Sequence, residues 1–190
     1  MQLVPLFEMV HKYVERHSVA LKGPLGTDST SWMFREGTIL GERIQGSHRA
    51  TNKSVLRADN VVTPDIRGAL TTDDGAEVYY EIRGYGIEVD GLRHFKGSMY
   101  FLTDAPQYEW LNTVLAVMEG RYTRTEDGYL IGTFQVYECV TESDQITPRL
   151  DYHEASRARS ACSRGSRTAE VRSLLQRANG YRYFSNPNVA

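Results

Sequence analysis

Apolar and polar residues alternate with a period of two along much of this chain. The clearest run is Asp65-Ile66-Arg67-Gly68-Ala69-Leu70-Thr71. As a strand it places Asp65, Arg67, Ala69 and Thr71 on one face and Ile66, Gly68 and Leu70 on the other. A second run places Glu77, Tyr79, Glu81 and Arg83 together. Asp73-Asp74-Gly75 between the two is a hairpin signal. His94 to Thr103 and Tyr129 to Val140 read as further strands, Asn112 to Tyr122 as a buried one, and Glu126-Asp127-Gly128 as a second turn. Glycines at 37, 41 and 46 exclude a comfortable helix and fit bulges or close backbone approach at a barrel corner. Leu3 to Val14 fits either a helix or an opening strand, which periodicity does not separate. By composition, residues 23–30, 47–54 and 84–91 read as loops. Residues 55–72 read as one extended stretch interrupted by Pro64.

Helical signals are few. Pro106 to Leu111 fits one turn with proline at an early position. Residues 141–167 are rich in Arg and Ser and read as a mobile or surface-draped segment. Thr168 to Ala178 then carries Val171, Leu174, Leu175 and Ala178 at helical spacing. A lone helix of that length is marginal in water. It is therefore expected to dock, extended by Tyr181, Tyr183 and Phe184, either on its own barrel or on a second copy in a homodimer. Strands joined by short turns point to an antiparallel sandwich or barrel. The expectation is a mostly β protein. Residues 1–140 form a single antiparallel β-barrel, calycin/lipocalin-like or allene-oxide-cyclase-like, with a short helix near 106–111. Residues 141–190 form an extension with a C-terminal helix.

Composition narrows the partners. The 190 residues are 41% hydrophobic, enough to build a core without staples. With 22 basic against 24 acidic residues, a net charge of −2 gives a nucleic-acid partner no support. No basic, apolar leader opens the sequence, and no stretch approaches about 18 apolar residues. The expectation is a cytoplasmic protein with no membrane partner. Cys139 and Cys162 form no CxxC pair, and the five histidines show no HxH or HExxH spacing, so no metal site is signalled. GxSxG, P-loop and GxGxxG patterns are absent, and no cofactor is expected. The 12 tyrosines suit strands and half-polar pockets.

The charged faces of the two paired runs admit two readings. They are solvated, as one face of an antiparallel sheet commonly is. Or they line a polar barrel interior, with Asp65 as general base and Arg67, Asn112 or a tyrosine steadying negative charge. Tyr79 and Glu81 would then contact the ligand. Tyr108-Glu109-Trp110-Leu111-Asn112 concentrates aromatic and amide groups that fit a flat ligand, or a helical plug with Trp110 as core. Arg43 and His48 complete the candidate binding set.

Gly37-Thr38-Ile39-Leu40-Gly41, then Asp65 through Ala76, then Tyr108-Glu109-Trp110-Leu111-Asn112 occur in that order. In this the chain resembles the family catalogued as domain of unknown function 3237, over roughly residues 3–140. The resemblance implies a compact β-barrel with a central cavity. It also implies cyclase chemistry, from fungal members described as chalcone-isomerase-like. Asp65, Tyr108, Trp110 and Asn112 match the family pattern. Where members often carry a Gly-Gly-x-Asp-Trp-like stretch, this chain has Gly46-Ser47-His48-Arg49-Ala50, which implies a different ligand if that stretch shapes the pocket mouth. The expected function is a cofactor-independent acid/base isomerase, cyclase or lyase acting on a small aromatic or polyketide-like molecule. The alternatives are a non-catalytic binding barrel and a purely structural module.

Overall fold

A computed structural model describes residues 1–20 and 27–142. The chain divides into two units, Met1–Ile146 and Thr147–Ala190. The helix expected over 168–178 and its docking contacts lie outside the described residues, as does Cys162.

The first unit is built from nine strands: β1 (Gln2–Ala20), β2 (Thr27–Leu40), β3 (Gln45–Arg57), β4 (Val62–Thr63), β5 (Asp65–Thr72), β6 (Glu77–Val89), β7 (Leu92–Leu102), β8 (Ala116–Arg124) and β9 (Leu130–Val140). A 3₁₀ helix, Pro106–Thr113, links β7 to β8. Every pairing is antiparallel, and β9 returns to pair with β1, so the sheet closes into a barrel. The two-residue β4 bridges β3 and β6 at one rim. Closure leaves no long strand as an open edge among the described residues.

The turns follow their residues. Gly75 and Gly128 take positive φ at +85° and +84°, where Asp-Gly turns were expected from the sequence. Three expected loops are strand instead. Residues 84–89 continue β6 to a two-residue turn at Asp90 and Gly91, both at positive φ. Residues 47–54 lie in β3; that stretch reads as a loop only because its inward side chains, His48, Asn52 and Ser54, are polar. Thr27 to Thr30, within the expected loop 23–30, open β2. The extended stretch 55–72 is broken at Asn60, which adopts φ of 63°. Leu3 to Val14 is strand, within β1.

Inward positions alternate as the pleat requires: Phe7, Met9, His11 and Tyr13 on β1, Val78, Tyr80 and Ile82 on β6, Phe134 and Val136 on β9. The 3₁₀ helix closes one end. Its Leu111 is buried, and Asn112 clips it to the end of β7 by accepting from the Thr103 N–H and donating to the Thr103 carbonyl, both at 2.8 Å. Tyr108 donates to Asp74 in the β5–β6 turn at 3.1 Å, and the Arg43 guanidinium lies 3.5 Å over the Trp110 ring. The turns at Asn60, Asp90-Gly91 and Gly128 ring the opposite end.

Candidate functional site

Strand register sets two neighbouring rows of side chains across the barrel interior. In one row Tyr13 faces Arg35, Arg35 faces Ala50, Ala50 faces Gly68, and Gly68 faces Tyr80. A Cβ on Gly68 would stand 2.6 Å from the Ala50 Cβ and 2.2 Å from the Arg49 carbonyl oxygen. Two small residues thus leave the room that Arg35 and Tyr80 fill. In the next row His11 lies between Gly132 and Gly37, and Gly37 faces His48. These rows bring together a guanidinium, two imidazoles and a phenol, all buried.

His48 Nε2 is 3.3 Å from the Val10 carbonyl, which can only accept, so the ring proton is assigned to Nε2. Bare Nδ1 then accepts from the Tyr80 hydroxyl at 3.0 Å. Tyr80 in turn accepts from Arg35 Nη2 at 3.3 Å. Arg35 Nη1 lies 3.3 Å from His11 Nε2 and 3.4 Å from Nδ1, close enough to donate to a bare ring nitrogen. His11 stacks on Phe134, their centroids 5.2 Å apart. Toward the open end a second polar layer covers the first. Asn52 Nδ2 donates to the Tyr13 hydroxyl at 2.9 Å, and the Tyr13 and Tyr122 hydroxyls are 3.1 Å apart.

The electrostatics follow from burial. Burial, then the Arg35 charge, then His48 hold His11 well below the ordinary imidazole range, so it is neutral. Burial and Arg35 lower His48 to about 4, against an opposing hydrogen bond to Val10. Burial pushes the Tyr80 and Tyr122 phenols up, the latter far, and keeps both protonated. Arg35 itself keeps its charge, as guanidinium does in proteins. It is 2% exposed, and no Asp or Glu is buried among the described residues. A buried charge without a counter-ion costs several kcal/mol. Two buried polar atoms also lack partners: Arg35 Nε and Asn52 Oδ1. Such groups are uncommon in folded interiors and point to a missing ligand or water. Above Tyr13, Asn52 and Tyr122 lies a cavity of about 80 Å³, reaching the rim at Arg16 and Arg93.

Of the residues singled out in the sequence, the barrel interior holds His48 alone. Asp65, Arg67, Tyr79 and Glu81 are on the outer face, which corrects the reading of that face as interior. Asp65 is paired with Arg83 at 2.9 Å and Arg67 at 3.3 Å, and Glu81 accepts from Tyr79 at 2.6 Å. Period-two alternation separates two faces without saying which is inside. Here the apolar faces, with Ile66 and Leu70 on β5 and Val78 and Tyr80 on β6, turn inward. Asp65 and Arg83 do line an open outer groove of about 1160 Å³ with Lys96 and Tyr85. That groove is the larger hollow, but its charges are mutually paired or in water, whereas the interior holds a desolvated cation. Arg43, Tyr108, Trp110 and Asn112 anchor the 3₁₀ helix at the closed end. His11, Tyr13, Arg35, Asn52, Tyr80 and Tyr122 were not legible as a site. The usable signal was the alternation Phe7-Met9-His11-Tyr13 once that segment is read as a strand.

Among the described residues no cluster of three or more His, Cys, Asp or Glu is placed to hold a metal ion, and no helix is long and apolar enough to cross a membrane. The sequence profile of a family described as a protein of unknown function (DUF3237) matches residues 1–139. No curated protein matches the chain. Solved structures do. A β-barrel-like protein from Acinetobacter baumannii AYE is 23% identical with a TM-score of 0.60, covering 72% of this chain and 94% of its own. A conserved protein of unknown function from Rhodopseudomonas palustris is 25% identical with a TM-score of 0.57, covering 71% and 97%. A protein of unknown function from Clostridium acetobutylicum is 19% identical with a TM-score of 0.62, covering 74% and 100%. These likenesses extend to the barrel.

Proposed function

The chain belongs to the DUF3237 family, and from that premise we propose that it takes a small organic molecule into the open end of its barrel and moves protons on it there. The reaction class is isomerisation, cyclisation or elimination through an enolate- or phenolate-like state, with the proton lost from the substrate taken up by water at the open mouth and returned from there. One observation carries this reading: Arg35 is a buried cation without a carboxylate partner among the described residues, held by neutral His11 and by Tyr80, with Nε unsatisfied. Arg35 lies beneath the cavity floor, so it acts through the Tyr13, Asn52 and Tyr122 layer above it; a preorganised cation in a site walled by protein stabilises negative charge that develops on a substrate oxygen better than it would in water. Tyr13 and Tyr122 supply hydroxyls at the cavity floor. His48 fixes the Tyr80 hydroxyl that fixes Arg35, so it acts as a positioning residue. The substrate class is a small aromatic or polyketide-like molecule, because rings such as Phe95, Tyr13 and Tyr122 wall the cavity.

The test needs no knowledge of the natural substrate. A panel of hydroxylated aryl ketones and 1,3-diketones is incubated with the protein in D₂O, and proton NMR follows loss of the acidic C–H signals. Wild type should accelerate exchange for a subset of the panel, and Arg35→Met should lose about 10²-fold or more of that acceleration. If no compound exchanges faster with wild type than with the variant, acid/base catalysis in the barrel is wrong.

A second reading, a non-catalytic binding barrel, is favoured by a different observation. Both His48 nitrogens and the Tyr80 hydroxyl already have partners inside the cluster, and no carboxylate is buried beside them. Saturable binding of a panel member with no exchange of its protons would select this reading.

A further inference from the structure

Resting on the interior site above, we propose that the ligand is an anion: a small aromatic acid that also carries a hydroxyl group. Its charged end enters the mouth and points down the barrel toward Arg35.

The mouth has the electrostatics for this. Two arginines, Arg16 and Arg93, stand on the cavity wall, and among the described residues no carboxylate lines it. Glu88 lies 3.7 Å from Arg93, outside the lining, and tempers that charge. Arg16 spends its Nε on the Ser18 hydroxyl at 3.1 Å, a neutral partner. Beneath the floor sits the third cation, Arg35. Two guanidiniums on the wall and a third beneath the floor, in a site walled by protein, make the potential in the opening positive and draw in anions. A neutral ligand would leave Arg35 as uncompensated as before; an anion above the floor offsets part of the cost of that buried charge.

The hydroxyl follows from Asn52. This residue is 2% exposed and lines the cavity; its amide nitrogen is committed to Tyr13, and its Oδ1 accepts from nothing. An acceptor held this way selects a donor. A ligand O–H meets it, whereas a bare ring leaves it unpaired, and such loss is what makes polar pockets selective. Size sets the pose. At about 80 Å³ the cavity holds the polar end of a ligand and not a whole polycyclic molecule, so the rest projects past Arg16 and Arg93.

The probes are 3-hydroxybenzoate, whose hydroxyl flanks its carboxylate, the neutral analogue 3-hydroxybenzamide, and benzoate, with binding followed by calorimetry and by protein chemical shifts. Wild type should bind 3-hydroxybenzoate at least tenfold tighter than the amide and severalfold tighter than benzoate, with affinity falling as NaCl rises. The double variant Arg16→Gln, Arg93→Gln changes only rim side chains and should lose most of the salt dependence. Arg35→Met should lose a large part of the preference for acid over amide; should that variant not fold, Asn52→Leu takes its place and should abolish the preference for 3-hydroxybenzoate over benzoate. Equal binding of acid and amide by wild type overturns the proposal, as does an unchanged salt slope in the rim variant. Proton exchange on the ketone panel is read separately. Acid binding without exchange upholds this inference while defeating the catalytic reading. Exchange on neutral ketones by a protein indifferent to acids does the reverse.

Discussion

His48 titrates far from its ordinary range because burial and the Arg35 charge oppose its protonation. The unfolded chain takes a proton on this ring below about pH 6.5, while the folded protein refuses it until about 4. Stability is therefore full above neutrality and falls as pH drops through that window, by roughly 3 kcal/mol for this group, then levels off. His11 contributes in the same direction. His48→Gln keeps an acceptor for Tyr80 and removes one titration. Urea melts at pH 7.5 and 4.5 should show wild type losing clearly more stability than the variant; equal losses would mean that His48 is not the acid-sensitive group. Gly132 makes a related point. A methyl there would press within 2.5 Å of the Phe134 ring and 2.8 Å of both His11 Nε2 and the Tyr122 ring. Gly132→Ala should cost about 1–3 kcal/mol in overpacking and disturb the site with it. None of this was legible in the sequence, where Arg35, His48 and Gly132, spread over 97 positions, carry no mark of being neighbours. Register created the neighbourhood.

Among the elements, strands were legible wherever polarity alternated or a glycine marked a turn. β5, the first part of β6 up to Arg83, β9 and the turns at Gly75 and Gly128 follow from local rules. β3 failed those rules because its buried side chains are His48, Asn52 and Ser54. A segment that lines a polar interior cannot show an apolar stripe, so the missing strand signal was itself the trace of that interior. The 3₁₀ helix was legible through Pro106. Its attachment is local too, through the paired hydrogen bonds of Asn112 with Thr103. Asn112→Ala should lower stability by about 1–3 kcal/mol in chemical denaturation while leaving ketone proton exchange within twofold, since Asn112 sits at the far end from the cavity. A large loss of exchange in a folded variant would restore Asn112 to the chemistry. Gly37 is less forgiving than Gly132, because a Cβ there would meet the Val10 carbonyl oxygen at 1.9 Å, backbone that cannot step aside. Gly37→Ala should be the more destabilising of the two alanines.

The molecule as a whole is defined by the seam between β1 and β9, which joins Gln2 to Val140 across nearly the full length of the barrel sequence. Contacts so distant along the chain make folding slow, and stopped-flow refolding should fall in the millisecond-to-second range rather than microseconds. The seam also decides traffic. With the sheet closed and the 3₁₀ helix over one end of the described barrel, the proposed substrate would arrive and its product leave by the same doorway. A second reactant would then find the way taken, and a product would block the next substrate until it departs. Such a vessel suits reactions of one molecule with itself: a shifted double bond, a closed ring, an expelled water. Product inhibition should accordingly be strictly competitive with substrate.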